Sequence, residues 1–251
     1  MSKKDTVNNF DKKVVLYVDI LGFKNKVKKS IQDIETFNNI KNALMYIYNV
    51  QNENRHGVLN GKQLNIQISI FSDNIIYSQP LKNDGALFYT VVSAYYLSTE
   101  LTLLGFLFRG AIIIGDLYHD EKIVFGPALG KAVELEKDAV YPRIILRKED
   151  YEYQIKNPSN SNTSEDEKKY LDYFLKKDDD GFYHIDFLSK IHDYDDKATY
   201  IEVLKKIKKI IEDGLTITDD HIRAKYLWLM NQYNSLFDSD MPVEAPSKIL
   251  F

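Results

Sequence analysis

Lys12-Lys13-Val14-Val15-Leu16-Tyr17-Val18-Asp19 is a β-branched and aromatic run that ends on an acid and is closed by Leu21-Gly22-Phe23. It is short and has no helical period, so it predicts a buried strand. Downstream, apolar residues recur at helical spacing between Asp33 and Val50 (Ile34, Phe37, Ile40, Leu44, Ile47, Tyr48), behind a short helical segment near Lys24 to Lys29. A helical crossover therefore follows the first strand. Gln51 to Lys62 reads as a turn, after which Gln63 to Ile70 and Asn74 to Ser78 form an expected hairpin around Ser72-Asp73. Ala86 to Leu104 is periodic and stopped by Gly105, and Phe106 to Gly115 with Ile123 to Phe125 predicts a second hairpin around Asp116 to Lys122. Gly126-Pro127 opens a helix, with proline at its permitted first position, that runs to about Asp138 before a strand at Arg143 to Arg147.

The order β-αα-β-β-α-β-β-α-β predicts a single sheet whose helices cover one face, in the α+β or α/β class and not a bundle or sandwich. It resembles a ferredoxin-like core. After about Lys148 the pattern changes. Asn157 to Lys169 is polar, with Pro, Ser, Asn and acids, and predicts a mobile loop; Tyr200 to Glu212 and His221 to Leu236 carry helical stripes, and Phe182 to Phe187 suits an added strand. Residues 1–148 are thus expected as the core domain and 149–251 as a mostly helical C-terminal extension of unassigned role.

The chain has 251 residues, 44% of them hydrophobic and 13% aromatic, enough for a full core and incompatible with disorder or a coiled coil. A formal charge of -4 gives no electrostatic ground for broad binding to nucleic acid or to a membrane. Cysteine is absent, which excludes disulfides, Cys-based zinc sites and a Cys nucleophile, and points to a reducing cytoplasm. Met1 to Lys13 is polar, with no apolar core of a signal peptide, and the longest apolar run, Leu101 to Phe108, is broken by Arg109.

Asp19 ends a strand that is otherwise apolar, and an acid there is costly unless compensated. Alone it could be a turn or helix N-cap aspartate. Asp73, however, is a second acid between apolar neighbours in Phe71-Ser72-Asp73-Asn74-Ile75-Ile76, on a hairpin expected beside the first strand. Two carboxylates on adjacent strands make a hard oxygen site suited to Mg²⁺ or Mn²⁺. Arg109 interrupts an apolar strand, and its planar fork suits a carboxylate or a phosphate. A buried pair with Asp19 or Asp73 is the plainer alternative. His119, in Tyr118-His119-Asp120-Glu121, reads as an exposed turn histidine, and Lys205 to Lys209 and Asp178 to Asp180 read as solvated faces. Neither a P-loop nor a GxGxxG fingerprint is present, and Ser72 has no histidine at the spacing of a serine hydrolase.

The words VVLYVDILGF, FSDNII, FRGAIIIGDLY and VFGPALGKAVELEKDA, spread over Lys12 to Arg147, resemble the catalytic core of class III nucleotidyl cyclases. That resemblance implies metal-binding roles for Asp19, Ile20 (through its backbone carbonyl) and Asp73, a catalytic role for Arg109, and substrate contacts at Phe23, Ser69, Ile123 and Lys131. It also implies two Mn²⁺ or Mg²⁺ ions per site and a homodimer with sites at the interface. The chain departs from the family at four places. Gly130 and Glu134 stand where purine cyclases carry the transition-state Asn and Arg, and Ser69 and Ile123 stand where adenylate cyclases read adenine with Lys and Asp. FSDNII, RGAI and FGPAL followed by LE look closer to the pyrimidine cyclases of bacterial Pycsar antiphage systems. The expected activity is cyclisation of UTP or CTP, with a downstream cyclic-nucleotide receptor as effector. The alternatives are a catalytically inactive cyclase-like module and a purine nucleotide cyclase. Positive charge toward the substrate is expected from Arg109, Lys131 or Arg143.

Overall fold

Strand β1 (Asp11–Leu21) is buried without interruption from Lys13 to Val18, so it lies between two covered faces instead of alternating between core and water. A computed structural model describes residues 9–50, 64–190, 197–238 and 245–250; the turn expected over 51–62 and the strand start at Gln63 lie outside them. From β1 the chain runs through α1 (Phe23–Ser30), α2 (Ile34–Val50), β2 (Gln67–Phe71), β3 (Asn74–Pro80), α3 (Ala86–Leu103), β4 (Leu107–His119), β5 (Val124–Phe125), α4 (Pro127–Asp138) and β6 (Ile144–Leu146). This is the element order expected from the sequence, in a mixed α+β fold.

It continues through α5 (Lys148–Lys156), α6 (Ser164–Phe174), β7 (Leu175–Lys177), β8 (Tyr183–Ile185), α7 (Lys197–Leu215) and α8 (Asp220–Ser235). Among the described residues eight strands form one sheet in the order β2-β3-β1-β4-β6-β8-β7, with β5 paired to β4. Strand β1 is antiparallel to both β3 and β4, and β6 runs parallel to β4. The strands after Lys148 extend the same sheet through Ile145↔His184 and Leu146↔Tyr183.

Helices cover both faces, which corrects the expectation of one covered face. Residues Val14, Leu16, Val18 and Ile20 of β1 pack with α2, α3, α7 and α8, including Leu87, Val91, Leu204, Ile211 and Tyr233. On the opposite face Val15 and Tyr17 meet Ala128, Ala132 and Leu135 of α4. Helix α4 approaches closely because Gly115 faces Ala128, where an added Cβ would lie 2.9 Å from the alanine methyl. The unbroken apolar run of β1 was the sign of two covered faces.

Two further readings change. The polar stretch Asn157 to Lys169 is ordered around Glu167, which is fully buried and accepts from Gln154 Nε2 (2.7 Å), Asn162 Nδ2 (2.9 Å) and the Ser159 amide and hydroxyl. Thr163 and Asp166 form a capping box, so helix α6 starts at Ser164 inside the stretch read as loop. Asp178 and Asp180 are not a solvated run either, since both pair with Arg143, which is 2% exposed. Among the described residues no helix is long and apolar enough to cross a membrane.

Candidate active site

Side chains two apart on a strand share a face, so Asp19 lies on the α4 side with Tyr17 and Val15. Arg109 is its direct cross-strand partner on β4 and Asn74 its partner on β3. Asp73 sits in the two-residue turn between β2 and β3, where Ser72 takes φ 59°, the left-handed region that non-glycine residues seldom occupy. The Ile20 amide donates to the Asp73 carbonyl oxygen at 2.9 Å and pins the hairpin tip to β1. The Asn74 side chain donates through Nδ2 to Asp73 Oδ1 at 3.2 Å, and the Tyr17 hydroxyl donates to Asn74 Oδ1. Gly22, with φ 70°, turns the chain out of β1 into α1.

Arg109 Nη2 is 2.7 Å from Glu136 Oε1 of α4 and 3.9 Å from Asp19 Oδ2. The Glu136 side chain is only 6% exposed, whereas Asp19 and Arg109 retain about a quarter of theirs, 25% and 24%. Arg109 Nε is buried with no hydrogen-bond partner. Burial raises the Asp19 pKa, and the charge of Asp73 raises it further against the opposing pull of Arg109 and Lys225. Burial likewise raises Glu136, with Arg109 opposing and Asp19 adding to the shift. Tyr17 is pushed up to about 12, first by burial and then by Asp19, Glu136 and Asp73, and it remains a hydroxyl donor at neutral pH.

Asp19, Asp73 and Arg109, the three residues assigned to chemistry from sequence, thus converge at one end of the two central strands. Asp19 and Asp73 fit a divalent ion by the chemistry of the donor set: two hard oxygen groups, one of them resisting ionisation because of burial and its neighbouring carboxylate, a resistance that a cation offsets. Among the described residues no cluster of three or more His, Asp or Glu forms a closed cage. Remaining ligands would come from phosphate or water.

The other assigned residues lie elsewhere. Phe23 is 8% exposed and packs in the main core with Ile20 and Phe106. Ile20 turns its side chain into the same core at 1% exposure. Lys131 is an exposed residue of α4, and Ile123 is 53% exposed before β5. Arg143 is committed to Asp178 and Asp180, which removes it as a charge toward substrate. Ser69 shares the α4 face of the sheet, opposite Ile76, which in turn pairs with Tyr17.

His119 corrects the expectation of an exposed turn residue. It is 5% exposed and hydrogen-bonded through Nε2 to the Ser69 hydroxyl (2.9 Å) and through Nδ1 to the Ser78 hydroxyl (2.8 Å). Burial, aided by Lys13, lowers its pKa to about 4, so the neutral ring donates to one hydroxyl and accepts from the other. Strand β4 runs on past Gly115 into the stretch expected as a turn from Asp116, because Lys12 and Asp11 of β1 still pair with Asp116 and Leu117. Tyr17 and Asn74 were not singled out from sequence as site residues. The period-two spacing of Tyr17 from Asp19 was the available signal.

Among solved structures the chain is similar to the adenylyl cyclase CyaB from P. aeruginosa, with a TM-score of 0.47 and 11% identity over 70% of this chain and 94% of that one. No protein-family model and no curated protein matches it.

Proposed function

We propose that this protein is a metal-dependent nucleotidyl cyclase that converts a pyrimidine ribonucleoside triphosphate, UTP or CTP, to the 3′,5′-cyclic monophosphate and pyrophosphate. The observation that carries the reading is the convergence of Asp19 and Asp73 from adjacent strand ends beside the Arg109–Glu136 pair. In the reaction the ribose 3′-oxygen bonds to the α-phosphorus as the bond to the bridging oxygen of the β-phosphate breaks. The hydroxyl proton passes to water, and pyrophosphate leaves with the bond's electrons. A bound divalent pair would neutralise the phosphates and make the 3′-hydroxyl more acidic. Asp19 and Asp73 would hold that charge, and Arg109, kept in position by Glu136, presents a fixed cation toward charge developing on phosphate oxygen.

The pyrimidine preference rests on the sequence resemblance and on the residues at the two positions where an adenine-reading site carries Lys and Asp. Ser69 lies two strands from Asp19, about 10 Å across the sheet at roughly 4.8 Å per strand, with its short hydroxyl engaged by His119. Ile123 has no polar side-chain atom, so the donor and acceptor pair of an adenine-reading site is missing. Sites shared between two copies, and a signalling role in bacterial antiphage defence, extend the sequence resemblance. Incubation with each of the four ribonucleoside triphosphates and Mn²⁺, with products identified by mass, tests the proposal. Cyclic UMP or cyclic CMP as main product is expected. A purine cyclic nucleotide would refute the base assignment, and no cyclic product would refute the activity.

A further inference from the structure

Helix α8 is docked by contacts that fix its rotation about its own axis. The Trp228 ring stacks on Tyr141, in the connection from α4 to β6, at 5.7 Å between centroids and 7° between planes. It also meets His184 of β8 edge-on at 5.7 Å. Tyr226 fills the space over Gly214 of α7, where an added Cβ would lie 2.1 Å from the ring, and Leu229 and Tyr233 are 1% and 0% exposed in the main core. Residues three apart share a helix face, so Lys225 sits one turn before Trp228 on the side turned to this end of the sheet.

Its charged neighbours there are Arg109, Asp19 and Glu136, together with Asp219 at the start of its own helix. Yet Lys225 is half-buried, and among the described residues its ammonium has no ion-pair partner within 4.0 Å and no hydrogen bond. Arg109, the nearest comparable cation, already has Glu136 at 2.7 Å and keeps its Nε unpartnered. Two cations that face the same acids from opposite elements, each with unused donors, repel one another. A polyanion between them removes that repulsion and uses the donors.

We propose that Lys225 is a phosphate-binding residue of this site, contacting the phosphates that leave as pyrophosphate, so that helix α8 adds a cation to the site from the same chain that carries Asp19 and Arg109. The identity of the substrate rests on the cyclase reading; the phosphate contact does not. Lys225 takes part in no bond-making step.

Trp228 is the single tryptophan, so its fluorescence reports ligands at this helix face. Wild type, Lys225→Met and Lys225→Arg are titrated with Mg²⁺ and each of the four ribonucleoside triphosphates, and separately with Mg²⁺ and inorganic tripolyphosphate. Binding is read from Trp228, product by mass and folding by thermal melting. In Lys225→Met, KM and the tripolyphosphate dissociation constant are expected to rise by about tenfold or more, the scale of one charge-assisted contact, with kcat less affected and the melting point kept. Lys225→Arg, which keeps the charge, is expected to recover most of the loss. Should Lys225→Met fold poorly, Lys225→Gln gives the same comparison. Variants that match wild type in both KM and tripolyphosphate binding overturn the proposal while leaving the cyclase reading intact. A wild type that makes no cyclic product but binds tripolyphosphate through Lys225 refutes the cyclase reading and supports the phosphate site. A wild type that does neither overturns both.

Discussion

Replacing Arg109 with Met isolates the electrostatic logic of the site. Glu136 is 6% exposed at its side chain and has its ion-pair partner, Arg109, at 2.7 Å. At an effective dielectric constant of 20 the gross attraction across 2.7 Å is about 6 kcal/mol. Much of that is spent on desolvation, and breaking a buried pair from one side typically costs about 3–5 kcal/mol. At about 2–4 °C per kcal/mol for a chain of this size, Arg109→Met should lower the melting point by about 6–20 °C. The double variant Arg109→Met/Glu136→Leu removes the orphaned charge and should recover most of that loss. The sign with pH follows from the Glu136 pKa, which burial raises and Arg109 restrains. A carboxyl with a raised folded-state pKa contributes stability below its unfolded value, near 4.3, and loses it as pH rises through the folded value. Without Arg109 the folded value climbs further, so the deficit of Arg109→Met should be largest at pH 7 and shrink toward pH 5. Urea unfolding of wild type, both single variants and the double variant at the two pH values measures this. A single variant as stable as wild type, or a double variant no better than Arg109→Met, would refute the reasoning.

Asp19→Asn and Asp73→Asn should each lower turnover by orders of magnitude, while Asp19→Asn melts at or above the wild-type temperature at pH 7, because burial and Asp73 make ionised Asp19 a net cost; a lower melting point with retained activity would contradict both halves. Gly110→Ala places a Cβ 2.6 Å from the Tyr17 carbonyl oxygen, a backbone atom that cannot rotate away, and should cost about 3 kcal/mol. Gly130→Ala meets nothing within 4 Å and should gain about 0.5–1 kcal/mol, so equal urea midpoints for the two would show the packing argument to be wrong. Lowering of the His119 pKa from 6.5 to about 4 means its contribution is complete above pH 6.5 and is lost as pH falls toward 4, about 3 kcal/mol in all; His119→Gln should flatten the stability profile over that window, and an unchanged slope would exclude His119 as its source.

The strands and helices that frame the site could be read from sequence because hydrophobic periodicity is a local signal. β1, the Ser72-Asp73 turn and Pro127 at the start of α4 each carry their own evidence within a few residues. Asp19, Asp73 and Arg109 were legible for a related reason: each is a charge in an apolar neighbourhood, and that contrast is visible without the fold. Glu136, Asp178 and Asp180 lack the contrast. They stand among other charges in VELEKD and KKDDDG, and only the fold, which brings Arg109 to Glu136 and Arg143 to Asp178 and Asp180, makes them partners of a cation. His119 was misplaced for the converse reason, since the polar stretch from Asp116, which reads as a turn, is drawn into β4 by the β1 ladder opposite its first residues.

Where the site sits follows from the strand that carries it. Holding Asp19 half-buried beside Asp73 opposes folding, and an isolated hairpin would relax by letting one acid turn to water. Asp19 cannot do so cheaply, because its backbone is paired on both sides, to Asn74 of β3 and to Arg109 of β4, and the next residue, Ile20, is locked into the core at 1% exposure. The hairpin tip is tied down in turn by the Ile20 amide bound to the Asp73 carbonyl. The buried run Val14 to Val18 offsets the cost, since each fully buried aliphatic side chain contributes about 1.5–3 kcal/mol. The pair of acids therefore belongs at the end of a strand with six consecutive buried residues, where the backbone is paired on both sides while a quarter of the Asp19 side chain stays open to solvent.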